Sequence, residues 1–409
     1  MDTTALTAAV QDAFDQYAAK VQEDDQYGPE FPAGWRESRL LHDCSEAIEP
    51  ILAAQPEFAK PLMVRLLNGA MGFHPSMVAP MLLRNATERG SAAAAVEWLQ
   101  KVFGTHKARG VAIYTMRGLR VNASVTLMSD LTLVPFESLP PSPQKEILSE
   151  RPELGIRHLL VPYYASQTPT SALVAVVDIE PYLLDADDDR VSTSAADLYA
   201  RFENIRHCLA VARGGPVMPG PSWFQYEDPE LQAAIPGGGA TSFGHQEVIP
   251  LDLRDKGEVD GEKAARIVSD FFATEESVRH RLRTAMERVH LAFIRLSPAD
   301  KALELAIALE TLLVDSPGEN TFKIALRAGL LTGEDVQSRA MNRAIISAAY
   351  GLRSALMHSG QSPKDCKVRG YAKMPAADVA ARATEIAVGV VLRILRDRRE
   401  PDWNLLELR

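Results

Sequence analysis

An arginine and a histidine in the last third of the chain have the types and the spacing for chemistry on a phosphate group. Four residues separate Arg353 from His358. Gly360 and Pro363 follow, a typical helix stop, so the sequence predicts His358 in the last turn of a long helix. The negative end of a helix dipole favours a protonated imidazole. A guanidinium nearby offers forked donors that match phosphate oxygens.

The spacing of this pair also limits how it would act. On an ideal helix five positions turn the chain by roughly 500°, or about 140° net, so Arg353 and His358 point in different directions. Both reach one phosphate only if the helix loosens at its end or if two copies of the motif face each other.

Helices must position the pair. Apolar residues recur at spacings of three and four through most of residues 258–400, which is typical of amphipathic helices. Short loops between such helices indicate antiparallel neighbours and therefore a bundle. Ser297 followed by Pro298 is a strong helix start. A later helix begins near Asp335 and carries both Arg353 and His358.

The rest of the chain divides by pattern, and the fold class predicted is mainly α with a small mixed β module. Residues 1–107 read as an N-terminal helical module, 108–212 as a small mixed α/β module, 213–257 as an irregular Pro/Gly-rich linker and 258–409 as the bundle. Short β-prone runs in the second module cover 111–114, 121–127, 131–135, 159–164 and 172–179. The triple glycine 237–239 lacks the Gly-Lys-Ser/Thr that a phosphate-binding loop needs.

The segment around the pair resembles a known family. An Arg-x4-His motif at a helix end, preceded by Tyr350, resembles the signature of HEPN-domain ribonucleases, and most of all the ApeA-like branch. In that branch the helix carries an aromatic residue, then Arg-Ser, then His-Gly. Arg353 and Ser354 match the Arg-Ser part of this pattern. Ser359 departs from it by standing between the histidine and the glycine. Segment 302–313 resembles the helix whose glutamate approaches the active arginine, and Glu310 matches that glutamate.

This resemblance implies a C-terminal HEPN-type antiparallel helical bundle that cuts RNA without a metal or other cofactor. The ribose 2′-hydroxyl would attack the adjacent phosphate, with His358 as general base or acid and Arg353 stabilising the phosphoryl charge. Glu310, Tyr350 and Ser354 would support the pair. It also implies a composite site across a homodimer, and antiviral defence as the setting. The N-terminal region would then sense an unknown trigger.

The charge distribution fits RNA binding at one local patch better than RNA binding over the whole surface. The net charge of −10 argues against a surface that attracts nucleic acid everywhere. Between 337 and 373, however, seven basic residues stand against the single acid Asp365. Lys364, Lys367 and Arg369 are the predicted RNA-binding residues there. For Arg339 and Arg343 a solvated helix face explains the sequence equally well.

Two other readings stay open. Arg353 could tie Glu310 in an internal ion pair while His358 caps the helix, which would leave a non-catalytic RNA- or nucleotide-binding module or a helical scaffold.

Three dispersed cysteines without a CxxC pattern predict idle thiols in a reducing compartment. The N-terminus lacks a signal-peptide pattern, and no run approaches the ~20 apolar residues of a membrane span. We therefore expect a cytoplasmic protein.

Overall fold

Helices dominate the computed structural model, which describes residues 1–23, 33–67, 69–149, 168–186, 193–235, 241–242, 257–314 and 320–407. The predicted class, mainly α with a mixed β module, is confirmed. The helices are α1 (Thr3–Glu23), α2 (Ala33–Ser45), α3 (Glu49–Ala53), α4 (Pro75–Arg89), α5 (Ala92–Gly104), α6 (Pro143–Ser149), α7 (Thr193–Arg213), α8 (Pro229–Gln232), α9 (Gly261–Ala273), α10 (Glu276–Ile294), α11 (Pro298–Leu313), α12 (Asn320–Thr332), α13 (Val336–Ser359), α14 (Ala376–Asp397) and α15 (Trp403–Leu406). The strands are β1 (Leu62–Leu66), β2 (Gly69–Phe73), β3 (Ala108–Arg117), β4 (Leu119–Arg120), β5 (Val125–Met128), β6 (Leu131–Pro135), β7 (Ser171–Ile179), β8 (Leu183–Asp185), β9 (Met218–Tyr226), β10 (Thr241–Ser242), β11 (Gly257–Glu258), β12 (Asp365–Cys366) and β13 (Met374–Pro375).

The N-terminal region is helical except for a hairpin. Leu6 and Val10 are fully buried where α1 packs against α2, α4 and α5. The prediction that helices fill residues 1–107 is wrong for β1 and β2, which pair in an antiparallel hairpin with β8 on its other side. Val64 and Leu66 are the buried residues of an alternating strand, a period too short to stand out beside helical neighbours.

A six-stranded antiparallel sheet, in the order β10-β9-β3-β7-β6-β5, forms the β module. The predicted strands at 111–114, 131–135 and 172–179 are confirmed as parts of β3, β6 and β7, whereas the run at 121–127 enters a strand only from Val125. The run at 159–164 and the triple glycine 237–239 lie outside the described residues.

The prediction of an irregular linker over 213–257 is wrong where β9 lies, because β9 pairs along the length of β3. Two of its prolines, Pro219 and Pro221, lie at a register shift between β9 and β3, where Gly220 and Pro221 together stand opposite Thr115. At that irregularity the hydroxyl of Thr115 donates to the carbonyl oxygen of Pro221 at 2.6 Å. A bulge is where a strand tolerates proline, since a ladder hydrogen bond is already missing there.

The C-terminal helices α9 to α14 pack on one another, as their apolar spacing predicts. Ser297 caps α11 by accepting from the backbone N–H of Asp300, and Asp335 caps α13 by accepting from the backbone N–H of Ser338 at 2.7 Å. The inner face of α14 packs against α10, α11, α12 and α13. Burying each large apolar side chain on such a face contributes about 1.5–3 kcal/mol. The buried residues of α14 include Val379, Ala383, Ala387, Val390 and Ile394.

Sheet and bundle touch directly where α9 packs against β5. β11 pairs in parallel with β4, and α7 packs against both α9 and α10. Within the bundle the buried carboxylate of Glu304 joins α11 to α10 through Arg288 at 3.2 Å and Arg295 at 2.7 Å. The three cysteines, Cys44, Cys208 and Cys366, are buried and free. No helix in the described residues is long and apolar enough to cross a membrane.

Candidate functional site

The C-terminal end of α13 holds the predicted pair. The helix runs for 24 residues and stops at Gly360, whose φ of 63° is left-handed. The N–H of Gly360 donates to the carbonyl of Leu356, and that of Gln361 donates to the carbonyl of Ala355. His358 therefore lies in the last turn, as the sequence predicts. The helix stays regular up to Ser359, which disfavours a loosened end as the way to bring Arg353 and His358 together.

Two side chains, one from α11 and one from α13, lie against the arginine. Arg353 Nη1 lies 3.5 Å from Glu310 Oε1, and its guanidinium carbon lies 5.7 Å from the centre of the Tyr350 ring. The hydroxyl of Tyr350 is within hydrogen-bond distance of Glu310 Oε1 at 3.2 Å and of the Ala306 carbonyl at 3.3 Å. The predicted approach of Glu310 to Arg353 is thus present. Burial, reinforced by Glu310, raises the pKa of Tyr350, so its hydroxyl stays protonated and donates.

These neighbours orient Arg353 but do not use all of its N–H donors. Its side chain is 35% exposed and that of Glu310 32%, and 3.5 Å is long for a charge-assisted hydrogen bond. Partly exposed pairs of this kind contribute at most about 1 kcal/mol. Arg353 Nε is buried and has no partner in the described part of the chain. The guanidinium therefore keeps donors for another acceptor.

His358 is exposed, and it forms no hydrogen bond or ion pair with any residue that the structure describes. The last carbonyls of α13 receive the backbone N–H groups of Gly360 and Gln361 instead of its ring. The alternative without catalysis paired Arg353 with Glu310 and used His358 as a helix cap. The structure has this ion pair, but in the described residues His358 does not cap the helix. Ser354 is exposed and joins neither Arg353 nor Glu310 by a side-chain hydrogen bond within the described ranges.

A basic loop follows the helix. Lys364, Lys367, Arg369 and Lys373 are all exposed, and none has an acidic partner among the residues placed by the structure. They lie on and beside the small hairpin of β12 and β13 that leads into α14. These residues form the loop half of the predicted basic patch.

The other half of that patch lies elsewhere. Arg339 occupies the first turn of α13 and donates through Nε to the carbonyl of Gly333, while Arg343 stacks over Phe322 at 4.7 Å. Arg339 belongs instead to a second basic groove of about 870 Å³ between α9, the end of α12, the start of α13 and α14. The sequence does not reveal this groove because its residues come from three distant segments. Its other basic residues are Lys263, Arg266, Arg393 and Arg396.

Comparison of the chain with protein-family models, with curated proteins and with solved structures finds no match. The resemblance to HEPN ribonucleases therefore rests on the motif and on the helices that carry it.

Replacing Tyr350 by Phe should destabilise the fold modestly. The change removes a mostly buried hydroxyl that bonds α11, at a net cost of about 1 kcal/mol. Urea denaturation of the full chain measures this difference. Tyr371→Phe, which removes an exposed hydroxyl, should shift stability by less than about 0.5 kcal/mol. Equal effects of the two substitutions would mean that Tyr350 does not link the helices.

Proposed function

We propose that the C-terminal helices form a HEPN-type bundle and that the end of α13 is half of a ribonuclease active site. One observation carries the proposal. Glu310 and Tyr350 orient Arg353. His358 stands exposed about one and a half turns further on, at the negative end of the helix dipole, with no partner among the residues that the structure describes. The ion pair with Glu310 accounts for Arg353, and it leaves the exposed imidazole of His358 open to a ligand.

The chemistry follows from these two side chains. The ribose 2′-oxygen attacks the adjacent phosphorus, a bond forms between them, and the bond from phosphorus to the 5′-oxygen breaks. His358 accepts the proton of the 2′-hydroxyl or donates one to the leaving 5′-oxygen. Arg353 stabilises the negative charge that builds on the phosphoryl oxygens. The products are a cyclic 2′,3′-phosphate and a 5′-hydroxyl.

Two copies of the site supply both proton-transfer roles. When two helix ends face each other, one imidazole acts as the base and the other as the acid. This arrangement also explains how Arg353 and His358 can act on one phosphate although they point in different directions on one regular helix. Met357 beside His358 is 61% exposed, and Tyr371 on the basic loop is 41% exposed. A two-fold contact between the helix ends would bury both side chains. Residues 1–250 would then restrain the nuclease until a trigger binds, with antiviral defence as the setting.

The deciding experiment is a cleavage assay on labelled RNA in EDTA. Cyclic-phosphate products that disappear in Arg353→Ala support the proposal. RNA that binds and stays intact supports the alternative, a non-catalytic HEPN-type module. A protein that neither binds nor cuts RNA supports a helical scaffold. Sedimentation at micromolar concentration tests the composite site, and a strict monomer that still cuts would contradict it.

The basic loop should set the salt dependence of RNA binding. Each phosphate contact to a single strand contributes about 0.7 to the slope of log K against log salt. Substituting Gln for Lys364, Lys367 and Arg369 together should therefore reduce that slope by about 2. Gln at three exposed arginines elsewhere, Arg84, Arg120 and Arg399, removes the same charge. If both triple variants change the slope equally, the loop does not contact RNA.

A further inference from the structure

A buried arginine organises a second polar site between α7 and α10. Arg206 is 6% exposed and donates all five of its N–H groups. Nε and Nη2 donate to Glu203 at 3.1 and 2.6 Å, and Nη1 donates to the carbonyl of Val217 at 2.8 Å. The two remaining N–H groups reach His207 Nε2 at 2.9 Å and His290 Nε2 at 3.0 Å.

These contacts fix the state of both histidines. A guanidinium only donates, so each Nε2 must accept, and each neutral ring carries its proton on Nδ1. Burial, together with the charge of Arg206, lowers the pKa of His207 to about 3 and holds the pKa of His290 well below its ordinary value. Both rings are therefore neutral in the folded chain at physiological pH.

The network leaves donors without acceptors. His290 is 5% exposed, and its Nδ1 is buried with no partner among the described residues. Arg283 lies seven positions earlier, two turns away on the same face of α10. Its Nε is also buried, and among the described residues it has neither a hydrogen-bond acceptor nor an acidic ion-pair partner. A ligand acceptor that reached these donors would be stabilised, because an unpaired buried donor costs free energy.

The residues that carry these donors, Arg283 and His290, both line one pocket of about 620 Å³, a size that suits a small organic ligand. Met218 and Ile294 give it a buried apolar wall. Asp197 and Glu287 are exposed at its rim. The lining thus combines the donors of Arg283 and His290, apolar surface beside them, and three carboxylates, those of Asp197, Glu287 and the Arg206-bound Glu203.

We propose that this pocket binds a small organic anion whose carboxylate or phosphate accepts hydrogen bonds from Arg283 and His290. The apolar wall contacts the body of the ligand, and the rim carboxylates accept from its amino or ring N–H groups. The site uses neither Arg353 nor His358, so it stands independently of the ribonuclease proposal. It lies where α7, beside the sheet, meets α10 of the bundle, and so its ligand would contact both.

Titration calorimetry of the full chain with AMP, GMP and glutamate tests the site. These probes carry a phosphate or a carboxylate together with amino or ring N–H donors. We expect at least one to bind the wild-type protein, and Arg283→Gln to weaken that binding by about tenfold or more. Arg84→Gln, at an exposed arginine of α4, is the matched control and should bind as wild type does. Binding of the nucleotides alone would identify phosphate as the recognised group, and binding of glutamate alone would identify carboxylate.

A second variant separates loss of the site from loss of the fold. Ala200 lines the pocket and is exposed, so Ala200→Trp fills the space from the solvent side and should fold normally while abolishing binding. The proposal is overturned if none of the three probes binds the wild-type chain at millimolar concentration. It is also overturned if a probe binds Ala200→Trp as tightly as wild type.

Discussion

His358→Ala should lower the rate of RNA cleavage by about 10²- to 10⁴-fold while RNA binding stays nearly unchanged. A positioned general acid or base typically contributes a rate factor of this size. The ring is exposed and unpartnered within the described chain, so its removal breaks no contact of the fold. Stability should therefore remain that of the wild type.

Single-turnover cleavage in EDTA, with binding measured separately, tests this expectation. His280→Ala is the control, because it removes an exposed histidine from α10 and should cut RNA normally. A His358→Ala protein with the wild-type rate would show that the histidine takes no part in the reaction. Loss of binding together with cleavage would instead assign the residue to substrate contact.

Arg206→Met should destabilise the fold by about 3 kcal/mol or more. Methionine keeps much of the side-chain volume but donates no hydrogen bond. His207 Nε2, His290 Nε2 and the carbonyl of Val217 would then lose the donor that satisfies each of them. Each buried acceptor left unpaired costs about 1–3 kcal/mol.

The shift of the urea midpoint, with an unchanged slope, measures this loss. Arg84→Met, an exposed arginine in the N-terminal region, should change the stability by less than about 0.5 kcal/mol. A loss below 1 kcal/mol in Arg206→Met would mean that the two histidines find other donors, and that the network does not hold α7 to α10.

The sequence predicts the features that depend on neighbours along the chain. Asp335 and Gly360 mark the two ends of α13 because caps are local chemistry, and the structure places both where they were expected. The contact of Glu310 with Arg353 came from resemblance to a family, since no local rule joins two residues 43 positions apart. The role of that contact stays a prediction.

The features that the sequence missed depend on distant partners. No local sequence signal predicts the contact of Arg206 with His290. The two residues lie 84 positions apart and touch only because α7 packs on α10. The prolines of β9 obscured this strand in the sequence, because their tolerance depends on a bulge that forms only when β9 pairs with β3. The hairpin of β1 and β2 had one local signal, the Asn68-Gly69 pair typical of tight turns, set within a helical context.

The length of α13 bears on the size of RNA that the protein would need. Arg339, at the start of this helix, lines the second basic groove, and His358 stands in its last turn. A rise of 1.5 Å per residue places them about 28 Å apart. A stacked strand advances roughly 3.4 Å per nucleotide, so about eight nucleotides span that distance. A shorter RNA would meet either the groove or the histidine, and only a longer one would engage both ends of the helix at once.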